Sequence, residues 1–267
     1  MAADNKVKRM ILTGLMMALI TVATMIVQIP IPFTNGYIHL GDSMIFLAVL
    51  ILGWRHGAIA AAVGSALGDL IPGYMHWVLW TFCIKGLMAV FMGIAIEKCR
   101  GSKRNTGALA VITAGVWLGF QAAVRIVLNT MAVNDPQSLL GDDVANLSEL
   151  GAFLNGVQGK LMLSTVLIPV FLILIAVYVR KKEHLVIPVY EILAMTVSGL
   201  WMVLGYYVAG GIMYGNFAVS AFSVPWNVLQ FALGFFLAMV IAAALLKTSA
   251  SKYFTYGMER KNKDEQN

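Results

Sequence analysis

The feature that most constrains this chain is a series of apolar stretches, at 10–29, 41–54, 57–71, 77–96, 107–129, 161–179, 188–208 and 224–246, divided by short polar connections. About 20 apolar residues carry a helix across the roughly 30 Å hydrocarbon core of a bilayer. With every backbone polar group needing an internal partner there, such stretches fold as helices. Composition agrees: of 267 residues, 60% are hydrophobic and 12% charged, and mean hydropathy is +0.80. Soluble domains carry about a quarter charged residues. The sequence therefore predicts an all-α integral membrane protein of eight spans. The second and third stretches are short, and Arg55 and His56 between them favour two short helices over one hairpin.

The charges set an orientation. With the N-terminus inside and eight crossings, the inner connections hold Lys6, Lys8 and Arg9; Arg55; Lys98, Arg100, Lys103 and Arg104; Arg180, Lys181 and Lys182; and Lys247, Lys252, Arg260, Lys261 and Lys263. These are 16 of the 19 basic residues. Basic residues in short loops stay on the cytoplasmic side, so both termini are placed in the cytoplasm. The net charge of +6 thus reads as topology, with no call for nucleic acid. The outer segment 130–160 carries Asp135, Asp142, Asp143 and Glu149 against one Lys160 and is read as a polar loop. Within it, "NLSEL" contains an N-glycosylation acceptor tripeptide, which matters only in a eukaryotic secretory setting. The first stretch has no cleavage site behind it and is read as a retained span. The tail from Lys247 is charged and is expected to be disordered.

Ionisable residues inside apolar stretches are functional candidates, because each must face water, a partner or a ligand. "GYIHLGDSMIF" sets Tyr37, His39 and Asp42 at the mouth of the second span. The third, "GAIAAAVGSALGDL", repeats small residues at Gly57, Ala61 and Ser65 and ends in Asp69; small residues at a spacing of four let membrane helices approach closely. Lys85 lies about two turns inside the fourth span, on the side of Asp42 and Asp69. There a structural ion pair and a ligand contact are equally open. Tyr74, His76, Trp77 and Trp80 bracket the start of that span. The two tryptophans fit the interfacial aromatic belt, and the group also fits a ring-lined pocket. In "SVPWNVLQ", Pro225 suits a first helical turn, Ser223 can cap it, and Asn227 and Gln230 share a face. The candidate binding residues are Tyr37, His39, Asp42, Asp69, Tyr74, His76, Trp80, Lys85, Asn227 and Gln230. Arg125 is read as structural.

No phosphate-binding loop, zinc-protease motif, Ser/His/Asp set or Cys/His metal spacing occurs, so no enzyme, cofactor or metal site is expected. Cys83 and Cys99 form no disulfide pattern.

Residues 38–93, from "IHLGDSMIFLAVLILGWRHG" through "GDLIPGYMHWVLW" to "FCIKGLMAVFMG", together with 205–238, resemble the substrate-binding S component of energy-coupling factor (ECF) vitamin transporters. The likeness lies in Gly-Asp opening the second span, a glycine-rich third span ending in Asp, Lys-Gly in the fourth, and a Pro-x-Asn-x-x-Gln helix start. It implies a six-helix core, in 1–104 and 183–246; the helix pair inserted at 105–182 departs from the family's pattern, and 247–267 is a cytoplasmic tail. It also implies capture of a vitamin or precursor of the riboflavin, pyridoxine, pantothenate or hydroxymethylpyrimidine class at a bacterial plasma membrane. A transmembrane subunit and two ATPases would be the partners, and Gly14 and Ala18 on the first span match the spacing of the family's docking motif. The rings near the mouth favour a flat heteroaromatic ligand. An ion- or proton-coupled transporter using Asp42, Asp69 and Lys85 as a relay is the alternative, and a scaffold without transport a third reading.

Overall fold

The computed structural model describes residues 2–141, 144–178 and 187–256. In chain order these form α1 (Ala2–Ile26), β1 (Ile29–Ile31), β2 (Gly36–Ile38), α2 (Gly41–Leu52), α3 (Trp54–Leu70), α4 (Met75–Cys99), α5 (Lys103–Asn134), α6 (Leu147–Tyr178), α7 (Val189–Met213), α8 (Phe217–Ala221) and α9 (Val224–Leu246). The expected all-helical architecture is interrupted, among the described residues, by one short antiparallel hairpin. It pairs Ile29 with Ile38 and Ile31 with Gly36.

Six helical stretches are long and apolar enough to cross a membrane: α1, α4, α5, α6, α7 and the α8–α9 stretch. With 12 and 17 residues, α2 and α3 reach only about 18 and 25 Å at 1.5 Å per residue. Neither is among the six, and both are interior helices. Ten of the twelve residues of α2 are buried, and α3 packs between α1, α2 and α4. The small-residue line of α3 serves that packing, with Gly57, Ala61 and Ser65 all buried. Between α2 and α3 the chain reverses at Gly53, whose φ of +77° favours a residue without a Cβ.

In a core of α1–α4, α7 and α9, the helices α1, α3, α4 and α9 pack around α2, and α7 joins through α4 and α9. Side chains of α7 tie it to α4: Ser198 donates to the Met88 carbonyl (2.8 Å) and Trp201 Nε1 to that of Ile84 (3.2 Å). Helices α5 and α6 pack chiefly on each other and lean on α7, α8 and α9. The stitching between them is polar. Along α5, Trp117, Gln121, Arg125 and Asn129 stand four apart. Trp117 Nε1 donates to the Ser164 carbonyl (3.0 Å), Gln121 to Ser164 Oγ (3.1 Å), and Arg125 to the Gln158 carbonyl (3.3 Å); Gln158 donates to Asn129 (2.8 Å). Interhelical bonds of this kind contribute about 0.6 kcal/mol each in a membrane.

Two expectations are corrected here. The segment 130–160 is mostly helix, because α5 continues to Asn134 and α6 starts at Leu147. The "NLSEL" tripeptide is a helix cap: Asn146 Oδ1 accepts from the Glu149 amide (3.0 Å), and Glu149 Oε2 accepts from the Ala145 amide (3.3 Å). This reciprocal arrangement satisfies donors that a helix start leaves unpaired. Asp142 and Asp143 lie outside the described residues, as do Arg180, Lys181 and Lys182. The tail from Lys247 is also ordered as far as Tyr256. The amides of Thr255 and Tyr256 donate to the Leu50 carbonyl (3.0 and 3.1 Å), and Phe254 and Tyr256 are buried. The end of α2 leaves carbonyls without helical donors, and this strand of tail supplies them. Residues 257–267 lie outside the described residues.

Candidate ligand-binding site

At the hairpin end of the bundle, five elements converge on one hollow. The hairpin and the turn after it bring Ile31, Thr34, Gly36, Tyr37 and His39; α3 brings Asp69, α4 Trp77 and Thr81, α7 Tyr206, and α9 Asn227 and Gln230, with Ser223 at its start. Helical spacing explains the α4 and α9 contributions. Trp77, Thr81 and Lys85 stand four apart on α4, and Ser223, Asn227, Gln230 and Gly234 follow one face of α9.

The polar groups are mostly committed to one another. Tyr37 donates to Asp69 Oδ1 (2.7 Å) and lies 3.1 Å from the Gly68 carbonyl. Burial, with the charge of Asp69 beside it, pushes the Tyr37 phenol up from its ordinary range. The Gly41 amide donates to His39 Nδ1 (3.0 Å), so that nitrogen is an acceptor and the neutral ring carries its proton on Nε2. Burial and then the Lys85 charge push the imidazole down to about 3, against a smaller opposing pull from Asp42. Gln230 uses both ends of its carboxamide, accepting from the His39 amide (3.1 Å) and donating to Asp42 Oδ2 (2.9 Å). Thr81 and Tyr206 share a hydrogen bond of 3.1 Å. Asn227 reaches only Ser223 Oγ, at 3.4 Å, and Trp77 Nε1 is buried without a hydrogen-bond partner.

Beneath the hollow lies an ion pair. Lys85 donates to Asp42, both side chains are wholly buried, and the Lys85 ammonium stands 5.2 Å from the centre of the Tyr206 ring. Gly234 permits this: a Cβ there would come within 2.9 Å of Asp42 Cβ. With Asp42 and Lys85 cancelling, the wall retains one acidic side chain, Asp69, and no basic side chain other than the neutral His39.

The ten expected residues therefore divide. Tyr37, His39, Asp69, Asn227 and Gln230 line the hollow; Asp42 and Lys85 sit under its floor; Tyr74 stacks behind Tyr37 at 4.5 Å between ring centres. His76 and Trp80 do not reach it. Each is one residue, hence about 100° of helical rotation, away from the lining Trp77 or Thr81. His76 is exposed accordingly. Sequence reasoning placed Trp77 in the ring group but left it out of the ten, and it missed Thr81; counting back by fours from Lys85 reaches both. It also missed Tyr206, for which the sequence holds no local signal.

The hollow has a volume of about 30 Å³, room for about one water. Outward-facing clefts of 240 and 460 Å³, between α4, α5 and α7 and between α6 and α9, are walled almost wholly by apolar side chains. Among the described residues no three His, Cys, Asp or Glu side chains gather as metal ligands. Gly14 and Ala18 lie apart from the site, exposed on α1 among Met10, Ile11, Leu15 and Leu19, and nothing stands within 4 Å of a Cβ built at Gly14.

Comparison with known proteins adds three findings. The family described as "ECF-type riboflavin transporter, S component" matches residues 4–159. An uncharacterized protein in the gap 3' region of Pyrococcus woesei is 49% identical over 74 residues, 28% of this chain and 49% of that protein. UPF0397 proteins of Streptococcus agalactiae and Lactococcus lactis are 31% and 29% identical over 94 and 96 residues, covering 35% and 36% of this chain and 51% and 52% of theirs. The chain spans about half the length of these curated relatives. No solved structure matches it. The family match runs from α1 into α6.

Proposed function

Since the chain belongs to the family of ECF-type riboflavin transporter S components, we propose that it captures a small water-soluble vitamin or precursor in the hollow under the hairpin. It then delivers that ligand inward with a transmembrane partner subunit and two ATPases. The observation that carries this reading is the convergence of side chains from the hairpin, α3, α4, α7 and α9 on one buried polar hollow. Trp77 Nε1, without a hydrogen-bond partner, and Asn227, with one long bond to Ser223, leave hydrogen-bonding capacity for a ligand there. A wall with one carboxylate and no ammonium or guanidinium group suits a flat, uncharged heterocycle such as riboflavin, pyridoxine or hydroxymethylpyrimidine. It does not suit a carboxylate-bearing ligand such as pantothenate, which would meet Asp69 uncompensated.

In this reading the hairpin end faces outward and both termini inward. α2 and α3 cross as an interior pair within eight crossings, which keeps Lys98, Arg100, Lys103, Arg104 and the tail on the cytoplasmic side. The core is α1–α4 with α7 and α9, and α5–α6 is an added pair. The exposed small-residue patch at Gly14 and Ala18 is where the transmembrane partner docks. The ion-coupled alternative gains nothing from the geometry, because the Asp42–Lys85 pair is sealed beneath the hollow.

Native mass spectrometry of freshly purified protein tests the proposal: a vitamin-sized metabolite should be retained. Asp69→Ala and Asn227→Ala should each weaken its binding at least tenfold while leaving expression intact. Two variants that bind as the parent does would mean that the hollow is not the binding site.

A further inference from the structure

The hairpin that roofs the hollow is held at its tip by the α5–α6 pair. Phe33, in the turn between β1 and β2, has a φ of +64°, a conformation non-glycine residues seldom adopt without support from their surroundings. Its ring packs on Phe153 of α6 at 5.3 Å and on Phe222, between α8 and α9, at 4.9 Å; those two rings meet edge-on at 4.9 Å. Gly141, in the connection from α5 to α6, lies flat against the same ring, which a Cβ there would approach to 3.2 Å. One residue on, the Thr34 carbonyl accepts from Tyr214 at the end of α7.

This socket bears on the hollow directly. Five of the residues lining it belong to the hairpin or the turn after it, and Tyr37 follows the tip by only four positions. A space for one water cannot admit a vitamin, whose binding sites enclose about 300 Å³ or more. The hairpin supplies five of the lining residues, so lifting it would widen the hollow. Lifting it means drawing Phe33 out of an aromatic socket to which α6 contributes Phe153.

We propose that the α5–α6 pair is a latch on the hairpin, and that Phe153 and Phe222, acting through Phe33, are positioning residues that hold Tyr37 and His39 in the wall of the hollow and set how readily ligand is released. The inference rests on the reading of the hollow as a ligand site, but its mechanical half can be measured without ligand.

Hydrogen exchange on the full chain in lipid nanodiscs provides that measurement. Phe153→Ala should speed exchange of the amides at 29–39 at least tenfold, the His39 amide bonded to Gln230 included, while the amides of α2, α3 and α4 keep the parent rates. Phe153→Leu, which refills most of the socket, should restore most of the protection. Phe33→Ala, emptying the socket from the other side, should repeat the Phe153→Ala pattern. With riboflavin as probe, Phe153→Ala should dissociate at least tenfold faster with association no slower. Hairpin exchange equal to the parent in both alanine variants overturns the latch. So does a rise spread evenly over the core helices, which would make Phe153 a general packing residue. A faster hairpin together with no vitamin bound by parent or variant upholds the latch and removes the reading of the hollow as a vitamin site.

Discussion

Replacing Lys85 by methionine distinguishes a structural ion pair from a ligand contact. The side chain lies wholly within the bundle, so methionine fills much of its volume and the packing loss is small. The cost is electrostatic. Asp42, also wholly buried, is left with the Gln230 amide as its remaining side-chain donor. Removing one partner of a buried pair typically costs about 3–5 kcal/mol, because the other charge is stranded. For a chain of this size that corresponds to a fall in melting temperature on the order of 10 °C. Asp42→Asn combined with Lys85→Met removes both charges, and an asparagine can keep the Gln230 bond. The double variant should therefore be more stable than Lys85→Met alone, with a coupling of about 1–3 kcal/mol. Thermal unfolding of the three purified variants in one detergent measures this. A Lys85→Met protein that melts with the parent but no longer binds vitamin would refute the structural assignment and make Lys85 a ligand contact. A double variant losing the sum of the two singles would refute the pairing.

Other predictions follow from the same geometry. His39 is held neutral far below its ordinary value, so the unfolded chain takes up its proton first as pH falls. The stability it contributes is complete above about pH 6.5 and is lost towards pH 3, by up to about 1.4 kcal/mol per unit. Between pH 6.5 and 5 the parent should therefore lose melting temperature more steeply than His39→Gln, and parallel curves would contradict the burial of a neutral imidazole. Gly14→Leu, on the exposed face of α1, should impair ATP-dependent uptake in cells carrying the partner subunits while leaving vitamin binding by the purified protein unchanged; equal loss of both would make Gly14 a packing residue. Truncation after Thr248 removes Phe254, Thr255 and Tyr256 from the end of α2 and should lower the melting temperature by several degrees, whereas truncation after Tyr256 should not. Asn146→Ala should cost about 1 kcal/mol through the lost cap of α6, read as increased exchange of the first-turn amides.

The apolar stretches determined the helices, because a bilayer leaves such residues no other way to satisfy their backbone. Two sequence readings failed where one local signal was given a whole segment. The turn residues around Asn134–Pro136 and Gly141 end one helix and precede another, yet stood for a loop of thirty residues. The charges after Lys247 concealed Phe254 and Tyr256, whose burial depends on the end of α2, two hundred residues earlier.

The site divides in the same way. Asp42, Asp69, Lys85, Asn227 and Gln230 were visible as polar groups in apolar surroundings, a costly and therefore conspicuous placement. Their grouping was also foreseeable, since all were placed near one end of the bundle. Which partner each of them meets depends on contacts between elements far apart in the chain. Gln230 joins the hairpin to α2, Lys85 neutralises Asp42 and leaves Asp69 as the charge facing the hollow, and Phe33 is seated by rings from α6 and from the turn before α9. Sequence by itself determined which residues lipid would expel or bury, because that preference belongs to each side chain alone. Only the tertiary structure decided which buried polar groups partner one another and which are left with fewer partners, because hydrogen bonds and ion pairs depend on distances that no local pattern encodes.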